Sequence, residues 1–152
     1  MKIAILYICT GKYTIFWEPF HRSCELYLLP DAEKHYFVFT DGRIPSYDER
    51  IHRIEQKNLG WPNNTLYRFR MFWGIREQLA HFDYIYFFNA NCEFFAPIGI
   101  EFLPSAEEGI AVVRHPCFFN SIPDEMTYDR NPKSKAYISR SELCLRCRQR
   151  RV

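Results

Sequence analysis

The sequence predicts an α/β fold with a largely parallel, doubly wound sheet of Rossmann-like type. Two observations carry that prediction. Short apolar runs rich in Ile, Val, Tyr and Phe alternate with segments of helical spacing, and within a run the apolar residues are consecutive, as in strands buried on both faces. Hydrophobic residues make up 47% of the 152 and aromatics 18%, so the chain has the means to build a packed core.

The first run, Ile3 to Cys9, reads as a buried strand that Thr10-Gly11-Lys12 breaks. From Phe16 to Leu29 the apolar positions Phe16, Phe20, Cys24 and Tyr27 recur at helical spacing, and Pro30-Asp31 ends the segment. His35 to Thr40 predicts a second strand running into the turn Asp41-Gly42, and Ile51 to Glu55 a short third. After Gly60-Trp61-Pro62, Asn63 or Asn64 suits the N-cap of a helix reaching about Ala80, with Leu66, Phe69, Trp73 and Leu79 as its apolar face. Tyr84 to Phe88 predicts a further buried strand, ending at Asn89-Ala90-Asn91. Gly109 to Val113 is apolar, and a polar loop follows from His115. In sheets of this kind ligands gather beyond the carboxyl ends of the strands. That rule points to Cys9–Tyr13 and Asn89–Asn91.

Charge excludes some classes of partner. The net charge is +2, which gives no bulk attraction to nucleic acid or a membrane surface. Residues 139–152 hold five Arg and one Glu, a net of +4, so the remainder carries −2. The first residues are apolar for only about eight positions, short of a membrane span and without a signal-peptide cleavage site. The six cysteines fit no small disulfide scaffold, and Cys9 and Cys92 read as reduced, buried thiols. A cytoplasmic setting, at most peripheral to a membrane, is therefore expected. Asn63-Asn64-Thr65 is formally a glycosylation sequon but is read as a helix cap, and Cys144-Leu145-Arg146-Cys147 lacks a second pair of zinc ligands.

Neither the three-glycine dinucleotide fingerprint nor a P-loop is present. Instead, five ordered segments resemble glycosyltransferase family 6, which includes the blood-group A and B transferases and the α-1,3-galactosyltransferases. They are Ile8-Cys9-Thr10-Gly11-Lys12-Tyr13, Trp61 with Thr65 and Arg68, Phe87-Phe88-Asn89-Ala90-Asn91, His115-Pro116-Cys117-Phe118-Phe119, and Met126-Thr127-Tyr128-Asp129-Arg130; Ala136-Tyr137-Ile138 extends the last. The resemblance implies a GT-A type sheet over residues 1–138 and a retaining hexosyltransferase that moves Gal or GalNAc from a UDP-sugar to a galactoside in α-1,3 linkage. It also suggests a fucosylated oligosaccharide acceptor.

Residue by residue, the resemblance implies that the backbone of Ile8, Cys9 and Thr10 meets the uridine with Tyr13 near the base, and that Arg68 brings a cation to the nucleotide. On residue chemistry alone, Tyr13 is equally a core aromatic and Arg68 more commonly a solvated helix residue. Asn89, Ala90 and Asn91 stand where animal members place Asp-x-Asp. Two neutral amides cannot supply the charge that holds Mn²⁺ or Mg²⁺, so a donor site without metal or other cofactor is expected, the amides contacting sugar or phosphate. Lys12, Arg68 and Arg70 are the candidates to offset the diphosphate charge. Taken alone, an Asn pair after a strand is more often a plain turn. His115 and Thr127 match acceptor-contacting positions, although a lone His after a strand is commonly structural.

Family members continue into a glycine-rich stretch that selects the sugar and a later segment with the catalytic carboxylate. Neither follows Ile138, where the basic tail 139–152 begins, and a frameshift is the favoured reading of that change. The expectation is then a truncated donor half with exposed aromatics, inactive alone; the alternative is a non-catalytic nucleotide-sugar-binding module.

Overall fold

The strand β1, Lys2–Ile8, carries apolar residues from Ile3 onward and is buried at every position from Ile3 to Tyr7. Such a strand needs cover on both faces and a partner on both edges. The computed structural model, which describes residues 1–45, 48–105, 107, 109–112 and 133, supplies all four. β2 (Glu33–Thr40) pairs with β1 in parallel, from Lys2 opposite Glu33 to Ile8 opposite Phe39. β4 (Tyr84–Phe88) pairs along the other edge, from Ile3 opposite Tyr84 to Tyr7 opposite Phe88. β3 (Ile51–Glu55) lies outside β2, giving the all-parallel order β3-β2-β1-β4.

The helices divide between the faces as the two-sided burial of β1 requires. α1 (Trp17–Tyr27) follows a 3-10 helix over Gly11–Phe16. Its Trp17, Phe20 and Cys24 cover Ile3, Ile5, Tyr7 and Cys9 on one face. The Tyr7 and Phe20 rings stack with centroids 4.2 Å apart. The opposite face, Ala4 and Leu6 with Phe37 and Phe39 of β2, is covered by Phe72, Ile75 and Leu79. This is the doubly wound α/β arrangement expected from the alternation of strand and helix segments.

Two elements differ in detail from the sequence reading. The helix expected from Phe16 to Leu29 starts as a 3-10 turn and becomes α-helical only at Trp17; it stops at Tyr27, and Leu29 takes a positive φ of 43°. Its inward positions are Trp17, Phe20, Ser23 and Cys24, with Phe16 and Tyr27 half-buried. The second helix is three short pieces, α2 (Asn63–Leu66), α3 (Arg68–Gly74) and α4 (Arg76–Leu79). Tyr67 and Ile75, at ψ of 3° and 13°, leave the helical region and reset the rotation of the chain between pieces. Of the expected apolar face, Leu79 is buried as expected and the other three positions are not. Leu66, Phe69 and Trp73 are exposed, while Phe72, Ile75 and Leu79 point inward. Cys9 is buried as expected, but Cys92 is only half-buried; both are free thiols.

After β4 the chain turns back along α1. The Phe94 N–H donates to Ser23 Oγ at 3.2 Å, and the Ile98 N–H to the Tyr27 carbonyl at 2.8 Å. This return sets Phe94 edge-on to Phe88 and stacks Phe102 beside it. The chain divides into two compact units, residues 1–103 and 104–152. Of the second, Gly109–Val112 forms no strand, and the basic tail lies outside the described residues. Among the described residues no helix is long and apolar enough to cross a membrane.

Ion pairs and rings fix the outer strands. Arg50 reaches Asp48 Oδ2 at 2.6 Å and Glu25 Oε2 at 3.3 Å, and the Tyr36 hydroxyl donates to Glu25 Oε1 at 2.6 Å. Beside this cluster His21 packs against Trp17, with centroids 5.1 Å apart, and against the edge of Tyr36. Its Nε2 is buried without a hydrogen-bond partner among the described residues. Burial holds the His21 pKa below the ordinary 6.5, although Glu25 and Asp48 pull the other way. Burial, with the nearby charge of His35, lowers His52 as well.

Both imidazoles thus resist a proton that the unfolded chain accepts near 6.5. Stability is at its full value above that pH and falls as the pH drops below it. The carboxylates held low, Glu33, Asp48 and Glu101, add their loss only below their unfolded values of 4.5, 3.8 and 4.5. Urea midpoints should therefore decline between roughly pH 7 and 5; a flat profile there contradicts the buried, neutral imidazoles. The broken helix gives a second check. Phe72→Ala should cost about 3 kcal/mol as a core truncation, and Trp73→Ala less than about 1 kcal/mol. Chemical denaturation returning the reverse order would restore the face expected from sequence spacing.

Candidate functional site

Strand order reverses beside β1: the chain steps outward to β2 and β3, then crosses back to place β4 on the other edge. At such a reversal the connections leave in opposite directions and open a crevice past the strand ends. A cavity of about 680 Å³ lies there. Ile8, Thr10, Lys12 and Tyr13 line it from the exit of β1, and Phe87, Asn89, Ala90 and Asn91 from the end of β4. The third wall is the segment from Asn58 to Arg68 that enters α2 and α3.

Each wall is held by its own short contacts. Gly11 follows Thr10 at φ 57°, and its N–H donates to Asp41 Oδ1 at 2.7 Å. A side chain there would press on Asn58, since a Cβ on Gly11 would stand 2.7 Å from Asn58 Nδ2. The turn then winds into the 3-10 helix, with the Tyr13 N–H on the Thr10 carbonyl at 3.2 Å. At the other strand, the Cys92 N–H closes a turn onto the Asn89 carbonyl at 3.0 Å, and the Tyr7 hydroxyl donates to the Ala90 carbonyl at 2.7 Å. The backbone of this turn is thus tied to the core side chain of β1. Asn89 and Asn91 are exposed, and among the described residues their side-chain amides make no hydrogen bond.

The cavity's charge is one-sided. Lys12 and Arg68 line it, and among the described residues no Asp or Glu does. Arg68 is anchored rather than free: its Nε donates to the Thr65 carbonyl at 2.9 Å, and its guanidinium lies 4.8 Å over the Phe87 ring. Burial lowers its pKa from the ordinary 12.5, which leaves a guanidinium a cation at neutral pH. Tyr13 and Trp61 present exposed ring surface at the rim.

Of the residues expected from sequence, Ile8, Thr10, Tyr13, Arg68, Asn89, Ala90 and Asn91 come together around this one space. Cys9 is not among the lining residues. Its side chain is fully buried with α1, its N–H is bonded to the Phe39 carbonyl at 2.9 Å, and burial pushes its thiol up to about 11 against a hydrogen bond from Thr40. Arg70 also stands elsewhere, at a shallow hollow with Gln56, Tyr67 and Met71. His115 and Thr127 lie outside the described residues. Asn58 and Gly60 line the cavity without having been singled out, and Asn64 was expected only as a cap. Asn58 and Gly60 flank Leu59 in an irregular polar stretch, and no periodic signal marks such residues.

The residues at the end of β4 do not fit a divalent cation. Asn89 and Asn91 offer neutral carbonyl oxygens, whereas hard cations are held by charged oxygens. Among the described residues no group of three or more His, Cys, Asp or Glu side chains is placed to hold a metal ion.

Residues 1–144 match the model of glycosyltransferase family 6. The O-antigen biosynthesis glycosyltransferase WbnI of Escherichia coli is 36% identical over 142 residues, covering 91% of this chain and 59% of that protein. The histo-blood group ABO system transferase 1 of Rattus norvegicus is 28% identical over 149 residues, 92% of this chain and 42% of the relative. The globoside alpha-1,3-N-acetylgalactosaminyltransferase 1 of Homo sapiens is 25% identical over 151 residues, 93% and 42% respectively. The chain thus spans about half the length of these relatives. Its four-stranded parallel sheet with flanking helices is part of a domain of the GT-A type, and the chain belongs to glycosyltransferase family 6.

Proposed function

We propose that the cavity between β1 and β4 is the donor site of a hexosyltransferase that passes Gal or GalNAc from a UDP-sugar to a galactoside in α-1,3 linkage with retention. The observation that carries this reading is the lining itself. Among the described residues, the cations Lys12 and Arg68, the exposed rings of Tyr13 and Trp61, and the neutral amides of Asn89 and Asn91 at the end of β4 face one cavity at the point where strand order reverses. The rings of Tyr13 and Trp61 offer faces on which a uracil can stack. Lys12 and Arg68 suit a diphosphate, whose negative charge grows as the bond to the sugar breaks. The Asn89 and Asn91 amides can donate to sugar hydroxyls or phosphate oxygens. The linkage and sugar named for the human relative support the finer assignment.

In this reading the donor site works without a metal ion, because the cationic side chains take over the neutralising role. The acceptor is an oligosaccharide, with a fucosylated galactoside as the specific suggestion and His115 and Thr127 as its contacts. Catalytic chemistry belongs to the whole protein; the residues described here hold, orient and neutralise the donor.

Calorimetric titration of the chain with UDP tests the reading. One-to-one binding is expected, unchanged by EDTA or by added Mn²⁺. Arg68→Ala should weaken it by about ten- to a hundredfold, the range for losing a charge-assisted contact. A chain that takes no UDP removes the donor-site reading, and binding that vanishes in EDTA removes the metal-free part. UDP binding without transfer from UDP-Gal or UDP-GalNAc by a full-length counterpart would make the protein a binding module.

A further inference from the structure

We propose that Asn58 and Asn64 are positioning residues that clip the 58–64 segment to the exit of β1 and so set the third wall of the cavity; as a role in ligand binding, this rests on the donor-site reading. The clip joins residues far apart in sequence. Asn64 Nδ2 donates to Thr10 Oγ1 at 3.1 Å and to Asn58 Oδ1 at 3.0 Å, while Asn64 Oδ1 accepts the Leu59 N–H at 3.1 Å. Asn58 Oδ1 also accepts the Gly60 N–H at 2.9 Å. These partners fix which end of the Asn64 amide points where. Turning it over would set its carbonyl against Asn58 Oδ1 and its NH₂ against the Leu59 N–H.

The positions are otherwise poor choices. Asn64 is the second residue of α2, which begins at Asn63 with Pro62 at its N-cap, so neither asparagine is the cap expected from sequence. Asn is also an indifferent helix former, because its side chain competes for backbone groups. Here that side chain turns away from its own helix to Thr10, a residue only 3% exposed. Asn58 in turn packs on Gly11, where a bare Cα at φ 57° makes the approach possible. Trp61 sits inside the clipped segment and Arg68 four residues beyond it. Both line the cavity, so their placement follows that of the segment.

Amide hydrogen exchange on the 152-residue chain tests the clip, and UDP titration of the same variants tests its role. Asn64→Ala should lower protection at Leu59 and Gly60 by on the order of tenfold, leaving the amides of β1 and β2 unchanged. Its UDP affinity should fall about five- to tenfold, as for one or two lost neutral hydrogen bonds. Should Asn64→Ala fail to fold, Thr10→Val and Thr10→Ser decide: the first removes the hydroxyl acceptor and should loosen the same two amides, the second keeps it and should not. Unchanged protection in Asn64→Ala or Thr10→Val overturns the clip. A loosened segment with undiminished UDP affinity overturns the positioning role. A wild-type chain that binds no UDP sinks the donor-site reading, and the role with it, while exchange still decides whether the clip exists.

Discussion

β1 is bonded on both edges and buried on both faces, and this double demand organises the molecule. With Ile3, Ile5 and Tyr7 on one side and Ala4 and Leu6 on the other, its connections must supply a helix to each face and a strand to each edge. The chain meets the demand by sending α1 over one face and α3 with α4 over the other. The cost is topological: having built outward through β2 and β3, it must cross back to place β4. The crevice where the two directions diverge follows from that reversal. The site is therefore a consequence of how the core is closed.

The two ends of β1 differ accordingly. At its start, the Lys2 N–H is bonded to Asp83 and its ammonium pairs with Glu33, which pins neighbouring elements. At its end, Tyr7 spends its hydroxyl on the Ala90 carbonyl while its ring stacks on Phe20. One side chain thus joins the helix-covered core to the turn that carries Asn89 and Asn91. A phenol in that position keeps its proton, since burial raises its pKa first and the neighbouring thiols add to the effect. The turn's backbone is held by a donor that does not titrate in the neutral range.

The strands and the doubly wound class were legible because consecutive apolar residues leave little choice: a segment such as Ile3 to Tyr7 cannot face water on either side. The broken second helix was harder. Leu66, Phe69 and Trp73 obey helical spacing as well as Phe72, Ile75 and Leu79 do, so periodicity alone could not choose between the stripes. The interruptions at Tyr67 and Ile75, which depend on tertiary fit, made the choice. In the site, Tyr13, Arg68 and the Asn89–Asn91 turn were readable from motif order. The burial of the Cys9 side chain under α1 was legible from its apolar run, whereas the bond from its N–H to the Phe39 carbonyl of β2 was not. Asn64 acts through a polar contact to Thr10 more than fifty residues away, and no local pattern encodes such a contact.

The electrostatics of the proposed site follow from one exchange of residue type. Carboxylates at Asn89 and Asn91 would repel a diphosphate unless a divalent cation stood between them. In the proposed reading, neutral amides remove the repulsion and leave the developing charge on the leaving group to be met by cationic side chains. Among the described residues, Lys12 and Arg68 are the cations that line the cavity. They are not equivalent. Lys12 is exposed on a short 3-10 helix, where water screens it. Arg68 is held by the Thr65 carbonyl and the Phe87 face, partly out of water, where a fixed charge acts more strongly and needs less reorganisation. In the proposed reading Arg68 therefore carries the larger share of the neutralising role, and the order of the Asn58–Asn64 segment that leads into it becomes part of the donor site's electrostatics.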